Sequence, residues 1–109
     1  MAVYQYMVLV SAVAGREAEF DAWYDGRHLA DVAQVPGVTQ ARRFPIVSIE
    51  ASGNPAWRSL AIYELRTEGD PNEILAEIKR RSGTEAMPLP DCVDKRGLVQ
   101  VVALDRNRH

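Results

Sequence analysis

Residues 20–44, FDAWYDGRHLADVAQVPGVTQARRF, constrain this chain most tightly. They read as a helix, a Pro36-Gly37 stop, and the start of a strand that carries two adjacent arginines. Stepping about 100° per residue places Phe20, Tyr24, His28, Asp31, Val32 and Val35 on one helical face, with Trp23 and Arg27 on its flank. The large apolar groups turn that face toward a core. It also carries an imidazole and a carboxylate, which cost free energy to bury without partners. Polar chemistry on an inward face is the main functional signal in the sequence.

Around this stretch the chain alternates strands and helices. Residues 2–13 form a breaker-free strand. Val3, Gln5, Met7 and Leu9 lie on one side, and Tyr4, Tyr6, Val8 and Val10 on the other. Both sides are largely apolar, so both need cover, and helices on one face cover only one of them. The other side calls for a second subunit. The first helix spans about residues 16–35, with Glu17 and Glu19 at the positive end of its dipole. Gly26 sits inside it, at a cost of about 1 kcal/mol relative to alanine, which fits close packing or ligand approach beside His28 as well as a lack of selection.

Residues 38–49 form the second strand, placed at an edge or a bulge by Pro45. Residues 51–55 form a hairpin loop, and residues 56–66 the third strand. Asp70-Pro71-Asn72-Glu73 supplies a cap, a proline at the first helical position and a capping-box glutamate for the second helix. Lys79, Arg80 and Arg81 read as its solvated basic end, and Ser82-Gly83 closes it. Residues 84–97 hold two prolines and no periodicity and read as an ordered loop, a lid candidate. Residues 98–104 form the fourth strand. A polar tail follows, in which terminal His109 is expected to be disordered.

The order βαββαβ over residues 1–109 is that of a single α+β, ferredoxin-like domain: a four-stranded antiparallel sheet with both helices on one face. Its bare face is the expected homodimer surface, where two sheets close a barrel.

Composition narrows the function. The 109 residues carry a net charge of −2, which gives no general electrostatic hold on nucleic acid. No apolar run is long enough to span a bilayer, and the N-terminus has no export signal, so a cytoplasmic location is expected. Cys92 is the single cysteine. It reads as a spectator thiol in a reducing compartment, and becomes a nucleophile only with a base such as His28 folded beside it. One internal histidine with scattered acids makes a poor metal site. No glycine-rich phosphate loop is present, so no cofactor is expected.

Several residues carry the pattern of a known group: Phe20-x-x-Trp23-Tyr24-Asp25-x-x-His28, then Val35-Pro36-Gly37-Val38, then Ala41-x-Arg43-Phe44. Residues 60–65 (LAIYEL) and Arg81-x-Gly83-Thr84 add weaker echoes. With them the chain resembles the dimeric α/β barrel superfamily, and most its EthD-like branch. The resemblance implies a homodimer and an active site between the helices and the sheet of each subunit. The superfamily includes isomerases of the muconolactone type, polyketide cyclases, cofactor-free monooxygenases and haem-binding enzymes, so the fold does not fix the reaction. The EthD-like branch is tied mainly to breakdown of aromatic or xenobiotic compounds and to polyketide tailoring.

His28 is the leading catalytic candidate, since an imidazole exchanges protons near neutrality. Its alternative is a core histidine bonded to the sheet. Asp31, one turn on, is placed to orient it and raise its basicity, with Asp25 as the other possible partner. Tyr24 presents a hydroxyl to a substrate oxygen or simply packs. Tyr6, Trp57 and Tyr63 either line an aromatic pocket for a flat ligand or belong to the core. Trp23 reads as packing alone. Simple alternation puts Arg42 among Val38, Phe44 and Ile46. There it is an anion clamp, an ion-pair partner of Asp31 or a dimer bridge. Arg43 matches the family motif and either shares the pocket or faces the other subunit.

These readings converge on a cofactor-independent enzyme acting on a small aromatic, polyketide or lactone-like substrate by proton transfer, as an isomerase, a cyclase or a dehydratase of the lyase class. His28 is the acid/base, and Arg42 with Tyr24 stabilises the oxyanion. A non-catalytic dimeric carrier of a hydrophobic metabolite and a cofactor-free monooxygenase of phenols are the alternatives.

Overall fold

Four strands form one antiparallel sheet in the order β2-β3-β1-β4. The computed structural model describes residues 1–50 and 57–108. The strands are β1 (Ala2–Ala12), β2 (Val38–Pro45), β3 (Ser59–Thr67) and β4 (Val93–Leu104). Helices α1 (Glu17–Trp23), α2 (Leu29–Ala33) and α3 (Pro71–Arg81) complete the α+β, ferredoxin-like arrangement. The expected hairpin loop at residues 51–55 and the fate of His109 lie outside the described residues.

Strand register decides which side chains meet the helices. Tyr4, Tyr6, Val8 and Val10 stand opposite Leu65, Tyr63, Ala61 and Ser59, so all eight share one face. On the other flank of β1, Val102 and Gln100 stand opposite Tyr6 and Val8. This face packs against Phe20, Tyr24 and Val32 of the helical stretch from α1 to α2, against Val35 just beyond it, and against Ile74 and Ile78 of α3. Met87 and Cys92, both fully buried, seal one end of the core. The opposite face carries two cross-strand rows, Arg42-Ile62-Met7-Val101 and Phe44-Leu60-Leu9-Val99, and among the described residues no helix covers it. Phe44 and Val101 remain 40% and 45% exposed there.

Pro45 ends β2, an edge strand, where its missing N–H costs no ladder bond. Asp70 caps α3 by accepting the Asn72 N–H at 2.9 Å, and Pro71 takes the first helical position. Gly37 adopts φ +98°, a conformation that side-chain-bearing residues avoid, as the chain turns from α2 into β2.

Three expectations need correction. The first helix is not uniformly α: Tyr24–His28 form a π-helical turn between α1 and α2, in which the Leu29 N–H reaches back five residues to the Tyr24 carbonyl. Gly26, within that turn, has open space where a Cβ would stand, so close packing does not account for it. The fourth strand begins at Val93, within the stretch that reads as a loop. Val93 and Asp94 pair with Ala12 and Ser11 before the register shifts between Leu9 and Ser11, which places Lys95, Arg96 and Gly97 in an irregular segment. That interruption, with Gly97 at φ +71°, hides the strand from any alternation pattern.

Candidate active site

Between the sheet and the helices lies a cavity of about 520 Å³. Its floor is Tyr6, Val8, Val10 and Tyr63, and one wall is Trp23, Tyr24, His28 and Val32. Leu75, Ile78 and Lys79 of α3 face that wall, while Leu89, Lys95, Leu98 and Gln100 complete the enclosure. Of the residues singled out from the sequence, His28, Tyr24, Tyr6 and Tyr63 meet here.

The π turn presents His28 and Tyr24 to the cavity together. The His28 ring stacks on Trp23 with centroids 4.5 Å apart and meets the edge of Tyr24 at 5.1 Å. Its Nδ1 is buried without a hydrogen-bond partner. Burial pushes the His28 pKa down to about 4, against a smaller upward pull from Asp31. The imidazole is therefore neutral at pH 7.

The tyrosines differ from the histidine in what they offer. Tyr6 donates to Gln100 Oε1 at 2.6 Å, and its ring lies 5.5 Å from that of Tyr63. Burial raises the Tyr6 pKa to about 12. It raises that of Tyr24 as well, and raises that of Tyr63 far above the ordinary phenol range. All three stay protonated at pH 7 and serve as donors. The Tyr63 hydroxyl is buried next to that of Tyr24, which acts on it as a hydrogen-bonding neighbour, though the pair falls short of regular hydrogen-bond geometry.

Five sequence-derived candidates lie elsewhere. Asp31 does not hold His28: its carboxylate accepts two bonds from Arg27 Nε, at 2.8 and 3.1 Å, because a guanidinium one turn away satisfies it better. Nor does Asp25, which takes Arg43 Nη1 at 3.1 Å on both oxygens. Arg42 is on the uncovered face, its guanidinium over the Phe44 ring at 5.6 Å. The cause is a β-bulge between Val38 and Gln40, which reverses the alternation counted from Val38.

Arg43 consequently points under the helices, with its side chain 4% exposed. It bonds Asp21, Asp25 and Ser59 Oγ and stacks over the Tyr24 ring at 5.0 Å. It does not line the cavity; it clamps the first helical segment to the sheet. Trp57 is also outside, its indole donating to the Gly97 carbonyl at 2.7 Å.

Sequence reasoning missed Trp23, Lys79, Lys95 and Gln100 as cavity residues. Lys79 shares a helical face with Leu75, four residues earlier, and Gln100 alternates in phase with Leu98 and Val102, so both were available from periodicity. Lys95 lies in the irregular part of β4 and carries no such signal. Trp23 reads as packing, yet its ring forms the face on which the imidazole lies. Cys92 is buried, and burial pushes its thiol pKa up, which leaves it protonated and inert. Among the described residues no three His, Cys, Asp or Glu side chains converge on a possible metal position, and no helix is long and apolar enough to cross a membrane.

A ferredoxin-like sheet with an aromatic cavity under its helices is the fold that the described residues form. Two solved structures share it. One is an "ethyl tert-butyl ether d (EthD) family protein" from Bacillus halodurans C-125, with TM-score 0.55, 15% identity, and coverage of 94% of this chain and 97% of that one. The other, described as a "putative monooxygenase" from Shewanella loihica PV-4, has TM-score 0.53, 16% identity, and coverage of 97% and 95%. No protein-family model and no curated protein matches the sequence.

Proposed function

We propose that this chain is a cofactor-independent enzyme that moves a proton next to a carbonyl in a small, flat aromatic, polyketide or lactone-like substrate. The observation that carries the reading is the placement of His28. Its ring lines the 520 Å³ cavity beside the protonated Tyr24 and Tyr63, and its Nδ1 is buried without a partner. A buried unsatisfied polar atom costs about 1–3 kcal/mol, so this nitrogen gains most from a new partner in the cavity.

In this scheme neutral His28 removes a proton from the carbon α to a substrate carbonyl. The electron pair of the broken C–H bond moves onto the carbonyl oxygen, giving an enolate. Tyr24 and Tyr63, protonated donors, stabilise that oxygen. Return of the proton from His28 to another carbon completes an isomerisation; attack by the enolate on a second carbonyl, with that proton passing to the new alkoxide, is a cyclisation. The developing anion beside the imidazolium raises the basicity of His28 at the moment it is needed. Asp31 and Arg42 have no part in the step. Pairing of the uncovered sheet faces in a homodimer, in the cytoplasm, completes the reading.

The test is proton exchange in D₂O. Wild-type protein should accelerate deuterium incorporation at the α-carbon of probes such as 1-tetralone and aryl butenolides, followed by NMR. His28→Gln should abolish the acceleration and keep probe binding. Exchange unaffected by His28→Gln would defeat the mechanism. Binding without exchange in the wild type would favour a carrier. The description of the Shewanella loihica structure makes an oxygenase the other reading, and oxygen consumption with electron-rich phenols would favour it.

A further inference from the structure

The formal charges that line the cavity are all of one sign. The chain has more acidic than basic residues, 15 against 13, yet among the described lining residues there is no Asp or Glu, and there are two lysines, Lys79 and Lys95. Both line the cavity while remaining solvent-exposed, so they sit at its mouth, one from α3 and one from β4. Nearby acids are already engaged: Glu77 with Arg80 and Arg81, and Asp94 with Arg96. Neither lysine has an ion-pair partner among the described residues.

From this we infer that the ligand is an aromatic carboxylate, its ring system inside against Trp23 and His28 and its carboxylate outside between Lys79 and Lys95. The inference rests on the reading of this cavity as a substrate site and names the chemical class of what enters it. Apolar walls exclude a charge from the interior, and two unpaired ammonium groups at the rim attract an anion and orient it. A singly charged carboxylate fits better than a phosphate dianion. Lys79 belongs to the last turn of α3, where the helix dipole is negative.

The test compares 2-naphthoate with neutral 2-naphthamide and with 2-naphthyl phosphate by titration calorimetry, on the wild type and on Lys79→Gln/Lys95→Gln. Both lysines are exposed, so the variant should fold, as circular dichroism will check. The expected result is a preference for naphthoate over naphthamide of about tenfold, the size of two partly screened ion pairs. It should shrink with added salt and drop to within about twofold in the double variant. Lys79→Glu/Lys95→Glu should reverse it. Equal binding of acid and amide by the wild type would overturn the inference and leave the substrate site standing. So would a preference that survives in the double variant, while tighter binding of the phosphate would overturn the carboxylate assignment. Binding of none of the three would overturn both readings together.

Discussion

The His28 imidazole lies against the Trp23 indole at 4.5 Å and 29°, held there by a π-helical turn that begins immediately after Trp23. In a regular α-helix residues five apart are about 500° apart in rotation, well off a common face. The wider turn changes that phase and lets ring 23 and ring 28 overlap. π turns are locally unfavourable and recur at functional sites. Here the turn delivers an imidazole, stacked on one side and apolar on most others, to the wall of a cavity.

That environment sets the titration of His28. Its pKa should be near 4 when measured by NMR from the ring resonances, well below the ordinary 6.5. Between pH 6.5 and 4 the unfolded chain binds more protons at this residue than the folded one, so stability rises with pH across that window. The contribution is complete above pH 6.5 and falls by up to about 3 kcal/mol by pH 4. Denaturant titrations at pH 7 and pH 4.5 should differ less for His28→Gln than for wild type. A measured pKa of 6 or above would refute the desolvated placement.

Tyr63 makes a second prediction. Its hydroxyl is buried with only an irregular contact to Tyr24, so Tyr63→Phe removes a polar group that the free protein satisfies poorly. The variant should be as stable as the wild type or more stable, by up to about 1 kcal/mol in chemical denaturation, while losing affinity for carbonyl ligands such as 1-tetralone. A loss of stability above 1 kcal/mol would mean that the hydroxyl is satisfied in solution.

Much of the architecture was legible because it rests on local patterns. The Asp70-Pro71 helix start, the Pro36-Gly37 stop and the edge position of Pro45 each follow from the chemistry of a single residue. The aromatic floor followed from the in-phase spacing of Tyr6 with Val8 and Val10. What failed failed at irregularities. One bulge after Val38 exchanged Arg42 for Arg43, since a single extra residue moves every later side chain to the other face. The interruption around Gly97 concealed the first half of β4. The pairing of Asp31 with Arg27 over His28 was a competition between two neighbours on one helix, which periodicity alone does not rank.

Gly26, within the π turn, and Gly37, between α2 and β2, should respond oppositely to alanine. At Gly37, φ is +98° and a Cβ would stand 2.6 Å from Ile74 Cδ1. Strain and displacement of Ile74 should together cost about 1–3 kcal/mol. At Gly26 a Cβ meets nothing within 4 Å and the backbone is helical. Gly26→Ala should stabilise by about 0.5–1 kcal/mol. Thermal or urea unfolding of both variants checks the pair. Destabilisation by Gly26→Ala would show that the π turn needs the freedom of glycine.

The uncovered sheet face gives the last prediction. Val101 stands opposite Met7, which stands opposite Ile62, and Leu9 and Leu60 continue the apolar band beside Phe44. A contiguous apolar surface of this kind is characteristic of an interaction site, and on a two-fold axis the same patch serves both partners. Val101→Glu places a carboxylate in the middle of it, where a face-to-face dimer would bury it without a partner. Sedimentation at micromolar concentration should show a dimer for the wild type and a monomer for Val101→Glu. The cavity lies on the other side of the sheet, so the His28 titration should persist in any folded variant. A wild-type monomer under those conditions would remove the dimer from the reading and leave the cavity chemistry of His28, Tyr24 and Tyr63 intact.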